Sequence, residues 1–186
     1  MNFGINRRIA LLAVAALIGT APAARAADDN TVFLDTKDGR VTIELRPDLA
    51  PKHVAQLKTL IKQGFYNGLK FHRVMDGFMA QTGDPKGNGT GGSSLPNIPA
   101  EFSQTAEFRR GTVGMARSSD PNSANSQFFI CLGDAPFLNK QYTVVGNVTD
   151  GLDVLDKIKK ASPGAPGGAV QDPDKIVRMT LAEKAK

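Results

Sequence analysis

"TVFLDTKDGRVTIELR", residues 31–46, sets two runs rich in β-branched residues on either side of an Asp38-Gly39 step. Such side chains suit a pleated strand surface, and an Asp-Gly step between two of these runs is a strong hairpin signal. The stretch therefore predicts strands over 31–36 and 40–46, joined by Lys37-Asp38-Gly39. Further along, "LKFHRV", "GFMAQT", "GTVGMA", "QFFICL", "YTVVGNV" and "KIVRMTLA" have the same short, strand-like composition. About eight short strands separated by turns point to a mainly β fold, either a sandwich or a barrel.

Two segments break the strand pattern. Pro51 opens "PKHVAQLKTLIKQG", where Val54, Leu57 and Ile61 recur at helical spacing and Gly64 closes the run. Proline in the first turn and glycine just past the end are the usual start and stop. The segment 152–160 places Leu152, Leu155 and Ile158 on one face, which predicts a second amphipathic helix. Ser162–Pro173, rich in Gly and Pro, reads as a loop inside the domain because a strand pattern follows it.

The beginning of the chain has a different character. Arg7 and Arg8 precede an apolar run from Ile9 to Ile18, and Ala24-Arg25-Ala26 follows. This is the three-part layout of a cleaved secretory signal with an A-x-A site. The apolar run is shorter than the about 20 residues of a membrane span. "NRRIAL" is a weak match to a twin-arginine signal, so ordinary export is expected. Residues 1–26 read as the signal and 27–186 as one mature domain. The address is the periplasm where the source has an outer membrane, and the exterior otherwise.

Loss of 1–26 removes three arginines and no acidic residue, so the formal charge falls from +5 to about +2. Nucleic-acid binding would call for a clustered basic stripe, and none occurs. Cys131 is the single cysteine of the chain. It reads as a small buried hydrophobe within "QFFICL".

Most familiar chemistries fail on spacing. Gly87-Asn88-Gly89-Thr90-Gly91-Gly92 satisfies G-x-G-x-x-G, but Pro96 and Pro99 forbid the helix a dinucleotide site needs. His53 and His72 have no companion Cys or carboxylates at metal-ligand spacing. Ser118-Ser119-Asp120 runs into Pro121-Asn122 and reads as a polar turn, not as part of a nucleophile–base pair. What remains is "FHRVMDGFMAQTGD", residues 71–84, with Arg73 and Gln81 among aromatic and sulfur side chains, and "SQFFICLGDAPFLNKQY", residues 126–142. Neighbouring strand residues face opposite sides, so one of Phe128 and Phe129 faces the core and the other a surface pocket. By itself Arg73 also fits a structural ion pair, since a buried arginine needs partners.

"FHRV…GFMAQTGD", "GNGTGG", "GTVGMAR" and "SQFFI" follow one another as they do in the cyclophilins, and the chain resembles that family from about Thr31 to Leu181. The signal together with "MAR" and "FLN" is most similar to the bacterial exported branch. The resemblance implies a closed eight-stranded antiparallel barrel capped by two α-helices, and peptidyl-prolyl cis/trans isomerase activity without metal or cofactor. It implies that Arg73 is catalytic, that Gln81 supports it, and that Phe78, Met79, Phe129 and Leu138 form the proline pocket. Ala116 and Arg117 would contact the residue before proline, and Gln127, Phe137 and Tyr142 would complete the substrate surface. His72 is expected to pack inside without a chemical role. The implied partners are Xaa-Pro segments of unfolded or exported polypeptides, met by a monomer. Phe137 stands where many eukaryotic members have tryptophan, Tyr142 where they have histidine, and the loop from Met115 to Gln127 is one residue longer. Reduced cyclosporin affinity is therefore expected. A proline-binding module without turnover and a hydrolase are the alternatives; the first would have no need of Arg73, and the second lacks a triad.

Overall fold

The computed structural model describes Met1 and residues 30–182. The expected signal segment lies outside the described residues, apart from Met1. Eight strands form one antiparallel sheet: β1 (Thr31–Thr36), β2 (Gly39–Leu45), β3 (Arg73–Met75), β4 (Met79–Thr82), β5 (Thr112–Met115), β6 (Phe128–Cys131), β7 (Val144–Asp150) and β8 (Arg178–Leu181). Their spatial order is β3-β4-β6-β5-β7-β2-β1-β8. Helix α1 spans Pro51–Lys62 and α2 spans Leu152–Lys157. Each predicted strand and helix is present.

The 31–46 hairpin is tighter than expected. Thr36 pairs with Gly39, so Gly39 joins β2 and the turn is Lys37-Asp38 alone. Alternation along β1 and β2 sends Val32, Leu34, Val41, Ile43 and Leu45 inward, all at most 3% exposed. They meet Val74, Ala80, Val113, Phe128 and Ile130 from the other half of the sheet in one core. Complete burial of an aliphatic side chain of this kind contributes about 1.5–3 kcal/mol. Register shifts at Thr42/Ile43 against β7 and at Val113/Gly114 between β5 and β7 bend the sheet, as bulges do.

The sheet does not close. It is an open, curled half-barrel with β3 and β8 at its two edges, contrary to the closed barrel expected. The cause is strand length. "LKFHRV" yields regular strand only from Arg73, and "KIVRMTLA" only from Arg178. The irregular segments before them meet instead, through Gly68 N–H to Ile176 O (2.7 Å), Phe71 N–H to Asp174 O (2.8 Å) and an isolated Lys70–Lys175 bridge.

Helix α1 packs against β8 and α2 against β2. Ala50 offers α1 no side-chain cap. Glu101, 48 residues from His53 in sequence, supplies it instead. Its carboxylate accepts the backbone N–H groups of Lys52 and His53, each at 3.1 Å, and the His53 Nδ1–H at 2.6 Å. A negative group there also complements the helix dipole. Burial lowers the His53 pKa below 6.5 despite the opposing hydrogen bond from Glu101, so the imidazole is neutral. The predicted 152–160 helix stops at Lys157 because Ile158 turns extended and Asp174 Oδ2 captures the Lys159 N–H at 2.8 Å.

Candidate active site

Opposite the core, the outer face of β3-β4-β6-β5 carries a second apolar cluster, with Met79, Phe108, Phe129, Cys131, Leu138 and Val144 among its members. Strand alternation produces the division. Phe128 belongs to the inner core and Phe129 to the outer cluster, as the period of two requires. Phe129 stacks on Phe108 at 5.7 Å and meets Tyr142 edge-on at 5.9 Å. Gly114, which pairs with Phe129 across β5 and β6, makes room for the rings. A Cβ there would lie 2.5 Å from Phe129 Cζ and 2.6 Å from Phe108 Cε1.

On this floor stands a polar row. Arg73 and Gln81 face each other across the β3–β4 ladder, so their side chains emerge on the same side. Arg73 Nη1–H donates to Gln81 Oε1 at 3.2 Å, and Gln81 Nε2–H donates to Gln127 Oε1 at 2.9 Å. Gln127 in turn donates to the carbonyls of Gly89 (3.0 Å) and Gly91 (2.8 Å). The 84–91 loop is itself held by Asp84, which is 1% exposed and accepts the N–H groups of Lys86, Asn88 and Gly89. Burial raises the Asp84 pKa, but the backbone donors outweigh it and hold the carboxyl below its ordinary value. The loop thus uses its glycines to wrap a carboxylate, and no helix follows it.

Arg73 is half-buried, and the ion-pair alternative for it fails: none of the ion pairs among the described residues includes it. Its Nε–H donates to Gly167 O at 2.7 Å and its Nη2–H faces Met75 Sδ at 3.4 Å. An arginine has five N–H donors. With three engaged, one on each Nη is left for a ligand.

These groups border a cleft of about 690 Å³. Ten of the eleven residues expected at the site line it: Arg73, Phe78, Met79, Gln81, Ala116, Arg117, Phe129, Phe137, Leu138 and Tyr142. Gln127 lies beside it and lines a smaller pocket of about 230 Å³, where Arg117 meets Ser118, Ser123 and Asn125. Phe137 is 61% exposed on the rim, tilted against Phe78 at 5.4 Å, whereas Leu138 is buried. Arg117 stacks over Tyr142 at 4.4 Å and donates to the carbonyls of Gln141 and Ser118.

His72 is buried at the edge of the cleft with neither ring nitrogen hydrogen-bonded. Burial lowers its pKa below 6.5, outweighing the nearby Asp84, so it is a neutral packed ring. Ser118 and Ser123 form a polar turn, with Ser123 Oγ–H donating to Asp120 O at 2.7 Å, and no histidine takes part. The Cys131 thiol is buried and its pKa is pushed up to about 12, by burial first and Asp134 second. No group of metal-binding side chains occurs among the described residues. Nor is any described helix long and apolar enough to cross a membrane.

The sequence reading missed Gly167, Met75, Asn88, Gly89 and Gln141. Gly167 is 94 residues from Arg73 and contributes only a backbone oxygen, so no residue-type signal marks it. Met75 was legible as the neighbour two positions on from Arg73, on the same face of β3.

The chain matches the cyclophilin type peptidyl-prolyl cis-trans isomerase/CLD family over residues 31–181. It is 58% identical, over 198 aligned residues covering all of both chains, to a probable peptidyl-prolyl cis-trans isomerase of Brucella suis. A peptidyl-prolyl cis-trans isomerase of Helicobacter pylori is 44% identical over 68% of this chain and 78% of its own. Among solved structures, a cyclophilin type isomerase of Cryptosporidium parvum, crystallised in the presence of the dipeptide Ala-Pro, superimposes with a TM-score of 0.74 at 30% identity. The match covers 82% of this chain and 99% of that one. The chain belongs to the cyclophilin-type peptidyl-prolyl isomerase family. Its enzymatic class is peptidyl-prolyl cis-trans isomerase.

Proposed function

We propose that the enzyme turns Xaa-Pro bonds of exported polypeptides without covalent chemistry, with Arg73 as the polarising donor and the Phe129–Met79–Leu138 floor holding the proline ring. The observation that carries this is Arg73, hydrogen-bonded to Gln81 and with donors to spare, lining the same cleft as Phe129, Met79 and Leu138.

Rotation about an amide costs about 18–20 kcal/mol because resonance stiffens the C–N bond. For Xaa-Pro the two isomers are close in energy, yet they exchange in roughly tens to hundreds of seconds. In the twisted amide the nitrogen becomes pyramidal and regains a lone pair. An N–H aimed at that nitrogen binds the twisted state better than the planar one, and only such differential binding raises the rate. A hydrogen bond to a charged group contributes about 1.5–3 kcal/mol, roughly one to two powers of ten in rate. The remainder comes from fixing the ring while the carbonyl side turns, in a site whose apolar walls strengthen the field of the guanidinium.

The neighbouring C. parvum structure, obtained with Ala-Pro present, supports an Xaa-Pro ligand for this cleft. Ala116 and Arg117, shared between the cleft and the smaller pocket, contact the residue before proline. The test is two-dimensional exchange NMR on a short Ala-Xaa-Pro peptide. Catalytic amounts of protein bring cis/trans exchange into the millisecond-to-second window; a peptide whose exchange stays at its uncatalysed rate would leave only a proline-binding module.

Export and a role in folding rest on the 1–26 layout. Polypeptides that fold after export do so past Xaa-Pro bonds whose isomers exchange slowly, and such a catalyst would accelerate that step. Amino-terminal sequencing of the protein recovered outside the cytoplasm reads Ala27 first if this holds, and Met1 if it does not.

A further inference from the structure

The geometry points to Met75 as a modification site: oxidation of its thioether to the sulfoxide by a peroxide slows the enzyme through Arg73. The inference rests on the isomerase reading of the cleft. Three observations converge on it.

The first is access. Of the five methionines, Met79, Met115 and Met179 are at most 3% exposed, Met1 starts the chain, and Met75 is 36% exposed. An aqueous peroxide therefore meets Met75 first within the folded domain. The second is contact. Met75 Sδ lies 3.4 Å from Arg73 Nη2, on the arm of the guanidinium next to the one that bonds Gln81. The third is confinement. Gly168 packs on the Met75 side chain so closely that a Cβ there would fall 2.5 Å from Met75 Cγ, and its neighbour Gly167 holds Arg73 Nε. The thioether thus sits against the backbone that positions the arginine.

Chemically, the sulfur gives an electron pair to the peroxide, whose O–O bond breaks. One oxygen stays on Sδ and the other leaves as water. A thioether is a weak hydrogen-bond acceptor, whereas the sulfoxide carries a polar oxygen. It takes the Nη2–H that the thioether only brushes, and draws the guanidinium toward β3 and away from the cleft floor. Reduction of the sulfoxide restores the starting contact.

The test treats the whole mature protein with graded hydrogen peroxide, maps each methionine by peptide mass spectrometry, and measures Xaa-Pro exchange on the same samples. Circular dichroism checks that the fold persists. We expect Met75 to oxidise at lower peroxide than Met79, Met115 or Met179. With Met75 oxidised, kcat/KM should fall roughly tenfold, the size of one charged hydrogen bond. Methionine sulfoxide reductases A and B together should recover the rate. Met75→Leu, compared with its own untreated rate, should keep that rate at the same peroxide dose. Oxidation of a buried methionine first, full Met75 oxidation with an unchanged rate, an equal fractional loss in Met75→Leu, or failure of the reductases to recover activity would each overturn the proposal. An untreated protein without exchange activity would instead overturn the isomerase reading, while the order of oxidation still decides whether Met75 is the site.

Discussion

Arg73 is held on two sides that come from distant parts of the chain. Gly167 O fixes Nε, Gln81 fixes Nη1, and the guanidinium plane is defined before substrate arrives. On the proposed mechanism, a donor held in this way would need no rearrangement as the transition state forms. Phe137 marks a different kind of residue-scale decision. At 61% exposure on the rim it offers area and no N–H, so a ligand carbonyl passing over it gains contact without a hydrogen bond. Phe137→Trp is expected to tighten cyclosporin inhibition several-fold, the value of about 0.5–1.5 kcal/mol for one neutral hydrogen bond. Titrating cyclosporin against both proteins checks this, and equal inhibition would contradict it.

At the scale of elements, sequence pattern proved informative wherever a local rule decides the outcome. The period of two separated Phe128 from Phe129, and Pro51 with Gly64 framed α1, because those features depend on neighbours in the chain. It failed where a distant group intervenes. Asp174 ends α2 by capturing Lys159 N–H, and no periodicity within 152–160 contains that fact. The opening between β3 and β8 follows from backbone irregularity at 68–72 and 174–177, where the residues themselves look strand-like. The site divides in the same way. Ten residues of the cleft were named through the family resemblance, but the Arg73–Gly167 bond joins a side chain to a bare backbone carbonyl across the sequence and leaves no compositional trace. Glu101 as the cap of α1 was invisible for the same reason.

For the molecule as a whole, the two buried histidines and the hydrogen-bonded carboxylates Asp84 and Glu101 pull stability in one direction with pH. His53 and His72 have pKa values lowered by burial, so the unfolded chain binds their protons more readily than the folded one. Their contribution is complete above an unfolded pKa of about 6.5 and is lost as the pH falls below it. Asp84 and Glu101 are raised by burial but held below their ordinary values by the hydrogen bonds they accept. Their contribution is present above an unfolded pKa of about 4 and is lost as the pH falls through the lower folded value. The urea midpoint should therefore be flat from pH 8 to about 7 and decline by pH 5.5, with a second decline below about pH 4. A midpoint at pH 5.5 equal to or above that at pH 7.5 would contradict the neutral, buried state of the two histidines.

The whole architecture, from the curled sheet to the loop wrapped on Asp84, converges on one guanidinium over an apolar floor. The measurement that tests this most directly is Xaa-Pro exchange by NMR with wild-type protein and a folded Arg73→Ala variant, at matched concentration. Removal of the donor should lower kcat/KM by roughly ten- to a hundredfold, while the peptide still perturbs the amides of Phe129 and Leu138 in the variant. Exchange as fast with Arg73→Ala as with wild type would contradict the account and place catalysis in the apolar pocket alone.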